Sequence, residues 1–323
     1  MSIEEFAETL NDWGRKRTPF LFLVDFEMQK PLAFPLHSIE AGNLLYDING
    51  IRNAPPDLFE RKPIRFFKFP QPYNSYKKKY DQVWSHLTYG DSYLTNLTIK
   101  TKIRMQLSLR EVFFLSQAKY KLLVEDNFLV FSPETFVRID NGKIYAYPMK
   151  GTIDASVPDA EEKILRDPKE MAEHVTIVDL LRNDLSRVAE NVEVTRFRYV
   201  EKIKTSEKDL LQISSEISGD LPSDYAHSLG DILVQLLPAG SVSGAPKFKT
   251  LEIIREAETE PRGYYTGIVG LFDGNTLDSG VMIRFLEYDR GVLYYRSGGG
   301  ITAKSNPEAE YQEAIDKIYV PVI

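Results

Sequence analysis

Residues 128–152 read FLVFSPETFVRIDNGKIYAYPMKGT. Apolar positions run through both halves of this stretch and flank one Asn-Gly pair, the dipeptide best suited to a two-residue hairpin turn. It therefore predicts two strands joined at Asn141-Gly142. Lys150 falls where the second strand leaves the sheet. A lysine there is ordinarily solvated. Pro148, which fixes the backbone before it, and Gly151, which lets a ligand or another chain segment come close, open a functional reading beside the plain one.

Working outward, a short helix, the apolar strand PFLFLVDFE (19–27) and a loop-rich connector NAPPDLFERKPIRFFKFPQP (53–72) precede a helix, a turn at Gly90-Asp91 and a strand rich in Thr and Ile. A helix is expected over SLREVFFLSQA (108–118). Beyond the opening stretch, DPKEMAEHVTIVDLLRNDLSRVA (167–189) is helical, VEVTRFRYVEKI (192–203) is a strand, and SDYAHSLGDILVQLLPAG (223–240) is helical again. Strands follow at YYTGIVGLFDG (264–274), LDSGVMIRFLEYDRG (277–291) and VLYYRSGGGITA (292–303), and a helix closes the chain. Antiparallel groups of strands interrupted by helices predict an α+β fold: two large, mainly antiparallel sheets packed together with helices outside.

With 323 residues and a net charge of −7, the chain is long enough for a substantial core and offers no general nucleic-acid surface. YKKKY (76–80) reads as the solvated face of a helix. The chain has no cysteine and four histidines, which excludes disulfides, thiolate nucleophiles and cysteine-bound metals and leaves oxygen-ligated metals. No apolar run is long enough to cross a membrane, and MSIEEFAETLNDWGRKR lacks a signal peptide's apolar core, so a cytoplasmic location is expected.

Four features could carry chemistry beside Lys150. Glu170 and Glu173 share one helix face, as do Glu310 and Glu313, with Lys317 a turn beyond. Four carboxylates from two helices could converge on magnesium, or could be ordinary solvated acids. AGSVSGAPK (239–247) and the triple glycine 298–300 read as small-residue loops that could offer amides to an anion or could be plain turns. Arg284, inside an apolar strand, is either a salt-bridge partner or a carboxylate ligand. Together they fit an enzyme that holds a small polycarboxylate beside a divalent cation.

SPETF, YPMKGT, KEMAEH…VDLLRNDLSRVA, GSVSGAPK, YYTGIVG, MIRF and GGGITAKSNPEAEYQEAIDK occur in this order from about residue 75 to the C-terminus. In that order they resemble the motifs of the chorismate-utilising enzymes, which include component I of anthranilate synthase and of aminodeoxychorismate synthase, isochorismate synthase and salicylate synthase. The resemblance implies a single domain over 1–323, with 75–323 as the family core and 1–70 completing the sheets. It implies chorismate bound beside magnesium. Glu173 and Glu313 would be the nearest metal ligands, with Glu170 and Glu310 close by. Tyr265, Arg284 and the amides of Gly298, Gly299 and Gly300 would hold the enolpyruvyl carboxylate, and Gly151, Thr152, Ser241 and Lys317 would lie near the substrate.

Pro-Met-Lys-Gly-Thr is similar to the aminodeoxychorismate synthase branch, where anthranilate synthases have alanine in place of the lysine. The implied chemistry makes Lys150 a nucleophile at C2 of chorismate, with Glu134 as acid and base. Ammonia would come from a separate glutamine amidotransferase subunit, since this chain has no cysteine. Anthranilate synthase, a lysine-using isochorismate or salicylate synthase, and a non-catalytic chorismate-binding module are the alternatives. Three departures from the family pattern stand out: Gln212 falls where a histidine is usual, Lys304 where aspartate is common, placing a positive charge near the cleft, and Thr95 where glutamine is frequent. The N-terminal part looks too short for the usual tryptophan-binding segment, so feedback inhibition by tryptophan is not expected.

Overall fold

The computed structural model describes residues 1–55, 65–204 and 209–321. In chain order its elements begin α1 (Ile3–Arg15), β1 (Phe20–Val24), β2 (Leu32–Pro35), β3 (Leu44–Ile48), β4 (Ile51–Arg52), β5 (Phe66–Phe69), α2 (Tyr73–Tyr89), β6 (Leu94–Met105), α3 (Leu109–Leu115), β7 (Tyr120–Val124) and β8 (Phe128–Ser132). The middle of the chain forms β9 (Thr135–Asp140), β10 (Lys143–Ala146), β11 (Met149–Asp154), α4 (Ala160–Arg166), α5 (Pro168–Leu185), β12 (Glu190–Lys204), β13 (Asp209–Asp220) and α6 (Leu229–Leu236). The last part forms β14 (Gly244–Ala245), α7 (Lys247–Ala257), β15 (Ile268–Phe272), β16 (Leu277–Val281), β17 (Phe285–Asp289), β18 (Val292–Ile301) and α8 (Pro307–Asp316).

These strands form two nine-stranded sheets. The first runs β11-β13-β10-β9-β16-β15-β1-β2, with β12 on the other edge of β13; the second runs β14-β6-β18-β17-β8-β7-β3-β4, with β5 also on β6. All the pairings are antiparallel, as expected. Strand β1 shows why its sequence is apolar without alternation. Phe20, Phe22 and Val24 pack into one core cluster with α1 and α6, while Leu21 and Leu23 face a second cluster holding Tyr120, Leu122, Phe128 and Phe285. A strand covered on both faces has no polar side to show. Strand β3 likewise pairs with β7, so the N-terminal strands build into both sheets.

The opening stretch folds differently from its reading as two strands. The Asn141-Gly142 turn is present, with φ of 51° and 74°, and joins β9 to β10. However, β8 belongs to the second sheet and β9 to the first, so the chain changes sheets at Pro133-Glu134. The stretch LDSGVMIRFLEYDRG divides in the same way, into β16 and β17, and changes sheets at residues 282–284. An apolar run that crosses from one buried layer to the next keeps its apolar character throughout, which hides the break. Strand β13, pairing with β10, β11 and β12, was not among the expected strands. The proposed connector 53–72 partly forms β5, and its residues 56–64 lie outside those described.

Helices cover the outer faces. Capping boxes start α1 (Ser2 with Glu5) and α3 (Ser108 with Glu111). Helix α2 buries Tyr76 and Tyr80 of YKKKY while its lysines face outward, as expected. No helix among the described residues is long and apolar enough to cross a membrane.

Candidate active site

Lys150 stands on β11, at an edge of the first sheet, rather than at the exit of the preceding strand. The pairing of β11 with β13 is interrupted by a bulge between Met149 and Thr152, where Gly151 has a φ of +81°. A bulge re-aims the side chains beside it. Lys150 Nζ donates to Glu173 Oε2 at 3.3 Å, linking β11 to α5. A Cβ on Gly151 would stand 2.9 Å from Glu170 Oε2, so any side chain here would displace that carboxylate. Thr152 pairs with Gln212 of β13.

Glu134 and Arg284 occupy the two places where the chain changes sheets. Desolvation raises the Glu134 carboxyl above its ordinary value, while the nearby Ser241 hydroxyl and the charges of Lys150, Arg284 and Lys317 pull the other way. Arg284 is not inside a strand as expected. It has a left-handed φ of 54°, its guanidinium lies 5.0 Å from the Tyr319 ring centre, and its Nε is buried without a protein partner. Tyr265 is buried nearby, and desolvation raises its phenol.

Gly298, Gly299 and Gly300 lie within β18, paired with Thr98, Leu97 and Asn96 of β6, and do not form the loop expected after the strand. Their use is closeness. A Cβ on Gly299 would meet Glu313 Oε1, Lys317 Nζ and Glu310 Oε2 at 3.5–3.7 Å, and one on Gly300 would lie 3.5 Å from Lys150 Nζ. Lys317, just past α8, donates to the Gly298 carbonyl at 3.0 Å and pairs with Glu313 at 2.6 Å.

All the candidate residues line one cavity of about 910 Å³: Glu134, Lys150, Gly151, Thr152, Glu170, Glu173, Ser241, Tyr265, Arg284, Gly298, Gly299, Gly300, Glu310, Glu313 and Lys317. The four glutamates reach it from α5 and α8. Among the described residues no three acidic or histidine side chains are close enough to hold one ion together. The donor set nevertheless suits a hard cation: only carboxylate oxygens are offered, the space beside Gly299 is bordered by two of them, and Glu173 and Glu313 already carry ammonium partners.

Gln212 lines the cavity, whereas neither the buried Thr95 nor the exposed Lys304 is among the residues lining it. Sequence reading missed two buried groups. His174, fully buried on α5, shares a 2.7 Å hydrogen bond with Ser215 and is pushed down to about 4 by desolvation and by the charges of Arg198 and Lys150. Asp184 and Lys247 form a buried ion pair at 2.8 Å. RND and GAPK were visible as motifs, but nothing in the sequence pairs two residues 63 apart.

Comparison with known proteins identifies the family of the chain. Residues 35–322 match the family described as chorismate binding enzyme, a match that begins well before residue 75. A Haemophilus influenzae protein described as an uncharacterized PabA-like protein is 49% identical over 324 residues, covering 99% of this chain and 98% of that one. Aminodeoxychorismate synthase component 1 of Escherichia coli is 35% identical over 260 residues, 75% of this chain and 56% of that one, so the chain spans about half that relative's length. MenF, the menaquinone-specific isochorismate synthase of Escherichia coli, superposes with a TM-score of 0.73 over 97% of this chain and 80% of that one; at 16% identity this speaks to fold alone.

Proposed function

Because the chain belongs to the chorismate-binding enzyme family, we propose that it is an aminodeoxychorismate synthase component I, converting chorismate and ammonia to 4-amino-4-deoxychorismate on the route to p-aminobenzoate and folate. The observation that carries this reading is Lys150 Nζ inside the cavity, within 3.3 Å of Glu173 and across from Gly300, with the half-buried Glu134 lining the same cavity. An amine with a carboxylic acid beside it is equipped for displacement on an allylic alcohol.

In this mechanism the Lys150 amine bonds to C2 of chorismate, the ring double bonds shift, and the C4–O bond breaks. Glu134, whose desolvation favours the protonated carboxyl, gives its proton to the departing hydroxyl, which leaves as water. Ammonia then bonds at C4, the double bonds return, and the C2–Nζ bond breaks. Glu134 accepts the surplus proton. Lys150 must first lose its own proton to solvent, which removes the charge attraction in its contact with Glu173. Arg284, whose buried Nε has no protein partner, and the open space along Gly298, Gly299 and Gly300 would receive the enolpyruvyl carboxylate.

Magnesium would be held by Glu173 and Glu313, with Glu170 and Glu310 beside them, and when bound would neutralise the ring carboxylate of the substrate. Ammonia would be supplied by a separate glutamine amidotransferase subunit, because this chain has no thiol with which to hydrolyse glutamine. The test is product analysis by mass with chorismate and magnesium, with and without ammonium. An aminated product that keeps the enolpyruvyl group and needs ammonium supports the reading. Isochorismate or salicylate formed without ammonium would make Lys150 a base that activates water and would sink it.

A further inference from the structure

Ser215 stands where β13 is irregular on both sides. Along one edge β13 passes from β10, whose Ala146 pairs with Ile217, to β11, whose Met149 pairs with Ser214, and the Ser215 N–H donates to the Pro148 carbonyl between them at 3.0 Å. Along the other edge β12 bulges between Arg196 and Tyr199, and Arg198 in the bulge takes a left-handed φ of 50°. A bulge turns backbone groups out of the ladder. The freed Arg198 N–H donates to Ser215 Oγ at 2.9 Å, and the same Oγ shares a 2.7 Å hydrogen bond with His174 Nε2 of α5.

Ser215 and His174 are both fully buried, and neither lines the cavity. Their bond nevertheless anchors the helix turn that brings glutamates to it. Through the first turns of α5, Met171, Ala172 and Val175 are exposed, and His174 is the first fully buried side chain among those described, ahead of Ile177 and Val178. The Arg198 guanidinium supports the same region, donating to Met171 Sδ at 3.3 Å and to the Leu165 and Ile164 carbonyls of α4 at 2.7 and 3.2 Å. Glu173 directly precedes His174 and pairs with Lys150, two residues beyond Pro148. One serine thus grips the strand that carries the lysine through its amide, and the helix that carries the glutamate through its hydroxyl. A buried imidazole or hydroxyl left unpaired is costly, so the two hold each other in register.

We propose that Ser215 is a positioning residue: by bonding His174 it fixes the Glu173 turn of α5 against the Lys150 strand and sets the separation of that carboxylate from the amine. Ser215→Ala removes only the helix arm, because the amide that holds Pro148 remains. The effect on turnover rests on the function proposed above, but the positioning does not.

The experiment treats the full chain with a water-soluble carbodiimide, which joins an amine to a carboxylate only where they touch, and measures the Lys150–Glu173 amide by peptide mass analysis. The Lys317–Glu313 amide, from a pair 2.6 Å apart at the end of α8, is the internal control. Ser215→Ala should lower the Lys150–Glu173 yield by about five-fold, the population shift that one buried hydrogen bond sustains, with the control unchanged. His174→Leu removes the same bond without leaving a lone imidazole, and serves if Ser215→Ala does not fold. It should lower the yield equally, and the double variant no further. His174→Gln, whose amide can still reach Ser215, should keep most of the yield. An unchanged yield in Ser215→Ala or His174→Leu overturns the proposal, as does a loss in His174→Gln as deep as in His174→Leu, or a fall shared by the control. Absence of the Lys150–Glu173 amide in the unaltered chain removes the pair being positioned and overturns it equally. Turnover with chorismate and ammonium is measured in parallel, so a chain that shows these yields but does not aminate chorismate loses the proposed function and keeps the positioning.

Discussion

Glu134 and Arg284 sit side by side where two neighbouring strands pass from one sheet to the other: Val281 N–H donates to the Glu134 carbonyl at 3.0 Å, and Phe131 N–H donates to the Arg284 carbonyl at 3.2 Å. The two sheet crossings brace each other, so the acid and the guanidinium rest on paired backbone and not on free loops. Their side chains are thereby held at one cavity wall.

This bracing makes Arg284 a test of substrate recognition without collapse of the fold. Arg284→Gln should weaken chorismate binding by about 10- to 100-fold, the cost of losing a charge-assisted contact. Isothermal titration with chorismate checks it. Unchanged affinity would remove Arg284 from the substrate site.

Lys150→Ala should lower ammonium-dependent turnover by on the order of 10³-fold. Its ion pair with Glu173 is partly exposed, so the loss of stability should stay within about 1 kcal/mol. Steady-state rates and a urea melt separate the two effects. A large fall in stability would show that Lys150 is chiefly structural.

Gly151 and Gly142 both have positive φ, +81° and +74°, but only Gly151 has a neighbour within reach of an added methyl. Alanine at either should cost about 1–2 kcal/mol of stability from backbone strain. Gly151→Ala alone should also displace Glu170 and reduce the rise in melting temperature on adding magnesium. Equal magnesium responses in the two variants would dissociate Glu170 from the cation.

His174 should make the protein acid-sensitive. Its folded pKa, about 4, lies below the unfolded value, so the unfolded chain binds the proton first. The stabilisation is complete above about pH 6.5 and is lost as pH falls from there toward 4, a change of about 3 kcal/mol. Melting of His174→Gln against the unaltered chain from pH 7 to 4.5 checks this. The difference between the two curves should shrink on acidification, and parallel curves would contradict it.

Much of the site was readable because its residues lie in short ordered motifs, each with its own local signature: Lys150 beside Gly151, glutamates three apart, a run of glycines. The two misplaced strand boundaries share one cause. FLVFSPETF and GVMIRFLEY look like unbroken strands because both layers they join are buried, and apolar patterning cannot tell one buried layer from the next. The glycines 298–300 were read as a loop on composition alone, although their strand pairing with β6 serves close approach and needs no turn. Asp184 and Lys247 escaped notice because an ion pair between distant segments leaves no spacing rule.

The central claim is that the Lys150 amine itself bonds to chorismate. The direct measurement is peptide mass analysis of the chain after mixing with chorismate and magnesium in the absence of ammonia, followed by a chase with ammonium. The account predicts an adduct of dehydrated chorismate on the peptide containing Lys150, released as the aminated product during the chase. An unmodified Lys150 together with isochorismate formed from water would contradict it.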